Sequence, residues 1–108
     1  VWEWAEGKYA ELPHTQTLVP GHGYFVFVFE DCTIDLPPGP RGNGRVACSA
    51  GWNLVGPVHG GRLDLERAGF SGIYSFSDGG FRPVTDGVLR PMRGYWISRT
   101  AAGEVVLP

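Results

Sequence analysis

Val1-Trp2-Glu3-Trp4-Ala5-Glu6-Gly7-Lys8-Tyr9 and Ile73-Tyr74-Ser75-Phe76-Ser77-Asp78-Gly79-Gly80-Phe81 are the two stretches on which the fold turns. Set 72 residues apart, they place aromatic against aromatic and Gly against Gly. Farther on, Leu18-Val19-Pro20-Gly21-His22-Gly23-Tyr24-Phe25-Val26 aligns with Leu89-Arg90-Pro91-Met92-Arg93-Gly94-Tyr95-Trp96-Ile97 at an offset of 71. Ile34-Asp35-Leu36-Pro37 aligns in turn with Val105-Val106-Leu107-Pro108. Self-similarity at a fixed spacing marks one structural unit used twice.

Each copy reads as a short meander. Trp2 and Trp4, or Tyr74 and Phe76, alternate along a first strand and share one face. Glu6-Gly7 or Asp78-Gly79 then supplies a turn, with Gly where the backbone needs a positive φ. A second strand starts at Tyr9 or Phe81. A Pro-x-x-Gly corner leads into the most apolar strand, Tyr24 to Phe29 or Tyr95 to Ser98, and a last strand runs to Leu36-Pro37 or Leu107-Pro108. Cys48 to Val58 reads as one more strand bounded by glycines. Arg62 to Ala68 is the one stretch with a helical pattern, and it stops at Gly69. The expected fold is all-β: a β-sandwich or open barrel of about eight to ten short antiparallel strands with two internal repeats. Residues 1–37 form the first copy, 38–50 a Pro/Gly-rich linker and 51–108 the second copy, within a single domain.

Gly51-Trp52-Asn53-Leu54-Val55-Gly56, followed by Ile73-Tyr74-x-Phe76 and by Leu89-x-Pro91-x-x-Gly94-Tyr95-Trp96, resembles a tandem β-repeat module of bacterial secreted or surface proteins. In that module a "GWNL" strand precedes an aromatic strand and a "PG.GYW" strand. The resemblance spans the second copy from Gly51 to Pro108. In the first copy it spans Val1 to Pro37, without the "GWNL" strand, which would lie before Val1. Either the fragment is cut inside the first copy or the Gly51 strand serves both. Pro91-Met92-Arg93-Gly94 also departs from Pro-Gly-x-Gly, which Pro20-Gly21-His22-Gly23 keeps. The resemblance implies an accessory part of an extracellular or cell-surface protein and brings no established chemistry.

Composition narrows the function classes. A net charge of -2 and a pI near 5.9 offer no basic stripe for nucleic acid. No apolar run reaches the roughly 18 residues of a membrane helix, so no membrane insertion is expected. No signal peptide is visible. The chain opens at Val1 without a Met and at once reads as a strand, as a mature or excised piece of a larger protein would. Cys32 and Cys48 bracket Pro37-Pro38-Gly39-Pro40 and Gly42-Asn43-Gly44. They are read as a disulfide across this stretch, worth about 3 kcal/mol by the chain-entropy argument, with two buried thiols as the alternative. A disulfide implies an oxidising compartment.

Residues for catalysis do not converge in the sequence. There is no nucleophile elbow, P-loop or dinucleotide fingerprint. His14, His22 and His59 fall in loops without ligand spacing. Glu3 with Glu6, Glu30 with Asp31, and Asp64 with Glu66 are the carboxylate pairs that glycoside hydrolysis could use. Glu30, Asp31 and Asp35 could gather round calcium, though carboxylates ending a strand explain them as well. No enzyme activity, cofactor or metal is expected.

The aromatic residues carry the remaining functional signal. Trp2, Trp4 and Tyr9 could form a flat row that stacks on sugar rings. Core packing is favoured, because the second copy keeps aromaticity there but not Trp. Trp52 and Trp96 read as core. Phe27, Val28 and Phe29 stand where the second copy has Ser98, Arg99 and Thr100, so the first copy carries an extra apolar patch at Phe27 and Phe29. The reading is a non-catalytic structural or interaction module of an extracellular bacterial protein, its partners neighbouring domains or subunits. The alternative is a carbohydrate-binding module that takes polysaccharide on Trp2, Trp4 and Tyr9.

Overall fold

The computed structural model describes residues 1–5, 7–13, 17–33, 44–64 and 69–108. Those residues form eleven strands, all paired antiparallel. In chain order they are β1 (Trp2–Ala5), β2 (Lys8–Glu11), β3 (Tyr24–Phe25), β4 (Arg45–Cys48), β5 (Gly51–Val55), β6 (Gly61–Arg62), β7 (Phe70–Ser77), β8 (Gly80–Pro83), β9 (Val88–Leu89), β10 (Tyr95–Arg99) and β11 (Gly103–Val106). They make four small sheets, β2-β1-β3, β5-β10-β7-β8, β11-β4 and β6-β9, none closed into a barrel. The all-β expectation holds. No helix occurs among the described residues. Arg62, read as a helix start, lies in β6 instead, and the helical pattern beyond Asp64 falls on residues outside those described.

The four-stranded sheet is apolar on both faces, and this decides the layering. Along β10, Tyr95 and Ile97 point one way and Trp96 the other, as alternation requires. Tyr95 and Ile97 join Val55, Ile73 and Phe70 in the buried core. Val46 and Cys48 from β4, Val105 from β11 and Leu107 just beyond it, with Leu63 and Leu89, close that side. Ile97 is completely buried. On the opposite face lie Trp96, Leu54, Tyr74, Phe76 and Phe81, and against them come the rings of the three-stranded sheet.

The hairpins β1–β2 and β7–β8 share one register. Trp4↔Tyr9 and Ala5↔Lys8 stand against each other as Phe76↔Phe81 and Ser77↔Gly80 do, each 72 residues on. Leu12 N–H donates to Val1 O at 2.9 Å, and Val84 N–H to Ile73 O at 2.9 Å. The third strands correspond at an offset of 71: Tyr24 faces Glu3 as Tyr95 faces Ser75. Val19 N–H donates to the Tyr24 hydroxyl at 2.8 Å, and Arg90 N–H to the Tyr95 hydroxyl at 2.7 Å. The hairpin at Asp78-Gly79 has positive φ at both residues, the geometry that matches strand twist in a two-residue loop.

β5 ties the two parts together. One edge pairs with β10 from Tyr95↔Val55 to Arg99↔Gly51. At its other edge Gly23 N–H donates to Leu54 O at 3.1 Å, and Gly56 N–H donates to Gly21 O at 2.9 Å. Gly23 is required there, since a Cβ would sit 2.7 Å from Leu54 Cγ.

Three further sequence expectations need correction. The stretch 38–50 is not only linker, because β4 occupies Arg45–Cys48 and pairs with β11. The apolar strand read over Tyr24 to Phe29 ends at Phe25: β1 has run out of residues to pair with, and no strand among those described lies on the other side. Its partner stretch at 34–37 lies outside the described residues. Cys32 and Cys48 form no disulfide. Cys48 occupies an inward position on β4, in the aliphatic core, whereas Cys32 lies on the exposed run after β3. Burial pushes the Cys48 thiol up, against the opposing pull of the Arg99 guanidinium beside it.

Two outcomes follow from these placements. In native protein at neutral pH a thiol reagent modifies Cys32 readily, and Cys48 only after unfolding; two unreactive thiols in unreduced, denatured protein would restore the disulfide. Met92 holds φ 62, as Gly21 holds φ 87 at the position 71 residues earlier, and its side chain is exposed. A left-handed conformation costs a residue with a Cβ about 1–2 kcal/mol, against roughly 0.5–1 kcal/mol of chain entropy for Gly. Met92→Gly therefore raises stability by about 0.5 kcal/mol in urea denaturation.

Candidate functional site: an aromatic cleft

The side chains facing outward from the four-stranded sheet meet those of β1, β2 and β3 ring against ring. Trp4 stands edge-on to Tyr9 at 4.8 Å between centroids and to Trp96 at 5.1 Å. Phe25 meets Phe76 at 6.1 Å and Trp96 at 6.2 Å, and Phe76 meets Phe81 at 5.2 Å. These approaches set positive ring edges against negative faces, the favoured aromatic arrangement. Strand parity explains why the rings gather here. Trp4 and Tyr9 are cross-strand partners, as are Phe76 and Phe81, and Trp96 pairs with Tyr74.

The covering is incomplete. Trp4, Tyr9, Trp52, Tyr74, Phe81 and Trp96 line an apolar cleft of about 380 Å³, within the usual range for small-ligand sites. Among the described residues no carboxylate, imidazole or thiol lines it. The polar side-chain groups of these residues are two tyrosine hydroxyls and three indole N–H groups. The Trp4 Nε1–H donates to Trp52 O at 3.0 Å, which fastens β1 to β5. The buried Trp96 Nε1–H has no partner among the described residues.

The sequence singled out part of this site. Trp4 lines the cleft half-buried, and Tyr9 lines it with half of its surface, 50%, exposed. Trp2, on the same strand face, is 40% exposed and does not line the cleft. Trp96 is buried, as read. Trp52 is not core: it is 47% exposed, because parity along β5 turns Val55 inward and Trp52 to the ring face. Tyr74 and Phe81 were legible only as repeat partners of Trp2 and Tyr9; the alternation of β7 and the Asp78-Gly79 turn were the signals that place them.

Elsewhere, Phe27 and Phe29 are 77% and 98% exposed and touch each other at 5.6 Å. They form an apolar patch apart from the residues that line the cleft. Among the described residues no three His, Cys, Asp or Glu side chains come together, and Glu6, His14, Asp35 and Glu66 lie outside them. No described helix is long and apolar enough to cross a membrane. No protein-family model, no curated protein and no solved structure matches the chain.

The half-buried indole of Trp4 and the buried one of Trp96 differ in what their N–H groups do. Trp4→Phe leaves Trp52 O without its donor and costs about 1 kcal/mol. Trp96→Phe removes a donor that is buried unpaired, a group whose desolvation costs about 1–3 kcal/mol, which offsets the lost ring volume. Thermal unfolding of the two variants should show Trp4→Phe to be the less stable.

Proposed function

We propose that the chain is a non-catalytic interaction module of an extracellular bacterial protein, and that its cleft seats an aromatic or apolar side chain of a neighbouring domain or subunit. The observation that carries this reading is the solvent-open cleft with six aromatic walls. Buried aromatic anchors in preformed apolar pockets dominate the energetics of protein contacts. A lining of rings, with no acid, base or nucleophile among the described residues, suits binding rather than bond-making.

The architecture belonging to this reading is a sandwich of two copies of one β unit. Support comes from the matched registers at offsets of 72 and 71, and from the rings at the contact, where Trp4, Tyr9 and Phe25 face Phe76, Phe81 and Trp96. The resemblance to tandem β-repeat modules of bacterial secreted or surface proteins supplies the compartment.

A second reading is a carbohydrate-binding module on Trp2, Trp4 and Tyr9. It is favoured by the exposed parts of Trp2 and Tyr9 and disfavoured by Trp4, whose ring is already engaged by Tyr9 and Trp96. The four indole N–H groups of ¹⁵N-labelled protein separate the readings in heteronuclear NMR. Free indole, standing for the apolar side chain, should shift the Trp4, Trp52 and Trp96 signals saturably and leave Trp2 in place. Phe81→Ala should weaken that binding about tenfold, roughly 1.4 kcal/mol. A soluble polysaccharide that shifts Trp2 foremost would favour the sugar reading. No shift with either would remove the cleft as a binding site.

A further inference from the structure

The two third strands, β3 and β10, are treated differently by the fold. β10 has β7 on one edge and β5 on the other. β3 has β1 on the edge that corresponds to β7, through Tyr24↔Glu3 and Phe25↔Trp2. On its remaining edge no described strand lies. The residues that would continue it, Val26 to Phe29, are apolar, extended in sequence pattern and exposed. At the matched place in the second copy Ile97 is fully buried and every residue of Tyr95–Arg99 is paired with β5. An unpaired strand edge with apolar side chains is a template for another strand.

We infer that Tyr24–Val28 is a docking edge for an antiparallel strand of the Gly51–Val55 type, supplied by a neighbouring module of the parent assembly. This rests on the two-copy reading above and adds to it a register and an occupant. β5 on β10 provides the template: moved by 71 residues, the pairs Tyr95↔Val55 through Arg99↔Gly51 become a five-residue ladder along Tyr24–Val28. The donor therefore ends with an apolar residue opposite Tyr24 and begins with Gly opposite Val28. A folded second copy cannot supply it, because its own β5 is held between β10 and the Gly21–Gly23 corner. Strand addition of this kind draws affinity from main-chain hydrogen bonds and specificity from alternate side chains. It would also place Phe27 within a paired strand rather than on a free one.

A synthetic peptide with the sequence of residues 50–57, Ala-Gly-Trp-Asn-Leu-Val-Gly-Pro, is the probe. Added to the 108-residue protein, it should bind saturably and slow amide exchange across Tyr24–Val28 by roughly tenfold or more. A scrambled peptide should do neither. Phe27→Pro should abolish binding without lowering the melting temperature, since Phe27 has no strand partner among the described residues to lose. Protection confined to β10, meaning that the peptide has displaced β5, would overturn the inference. So would protection of Val26–Phe29 by concentration-dependent self-association without peptide, or no binding at all. Cross-strand NMR contacts of Tyr24 with Glu3 and of Phe25 with Trp2 are read from the same sample. Their absence would sink the two-copy reading itself; their presence without peptide binding would sink the docking edge alone.

Discussion

β10 has to be buried on both faces, and the rest of the molecule is arranged round that demand. Tyr95 and Ile97 need an apolar layer on one side, Trp96 on the other. The first side is finished with aliphatic side chains drawn from β4, β11 and the loops around β6 and β9. The second is finished with rings, and rings do not tile a surface as closely as branched aliphatics do. The cleft is the space they leave. Site and core are thus two answers to one packing problem, on opposite faces of one sheet.

The link between the parts follows from the same geometry. Among the described residues, a few directional bonds join β1–β3 to the remainder: the Trp4 indole to Trp52 O, and the two amides at the Gly21–Gly23 corner. The ring contacts supply the rest. A contact made of edge-to-face rings has broad orientational tolerance compared with a strand ladder. A cleft walled in this way can adjust to the shape of what enters it, which suits the seating of a side chain better than the holding of reacting groups in register.

Much of the fold was legible because alternation and turn chemistry are local. Trp2-x-Trp4 and Tyr74-x-Phe76 marked strand faces, Asp78-Gly79 marked the hairpin, and the Pro-x-x-Gly stretches marked the corners. What escaped depends on pairing between distant segments. Tyr24 to Phe29 has strand composition throughout, but only two of its residues have a partner. Arg45–Cys48 looked like linker because its partner, Gly103–Val106, lies far along the chain. Trp52 looked like core because Leu54 and Val55 near it are buried; parity separates it from Val55, and it shares the ring face with Leu54 but stays half exposed there. The cysteine pairing failed for a similar reason: bracketing a loop in sequence says nothing of which way a strand turns its thiol, and Cys48 turns inward. Of the cleft, Trp4 and Tyr9 were legible as a site, Trp96 only as core, and Trp52 not in its role.

The pairing of β4 with β11 carries a consequence for the order of events when the chain is made. β1–β2 and β7–β8 close through short loops and can form as soon as their residues exist, on the microsecond scale of hairpins. Val46 and Cys48 are in another position. Their cover is Val105 and Leu107, and Leu107 N–H reaches back to Gly44 O at 2.7 Å. In synthesis from the amino terminus, the aliphatic side of the sheet therefore stays open until Gly103–Leu107 have emerged. The strand that closes this side follows both hairpins in the chain, so β1–β2 and β7–β8 can be in place before the aliphatic core is shut.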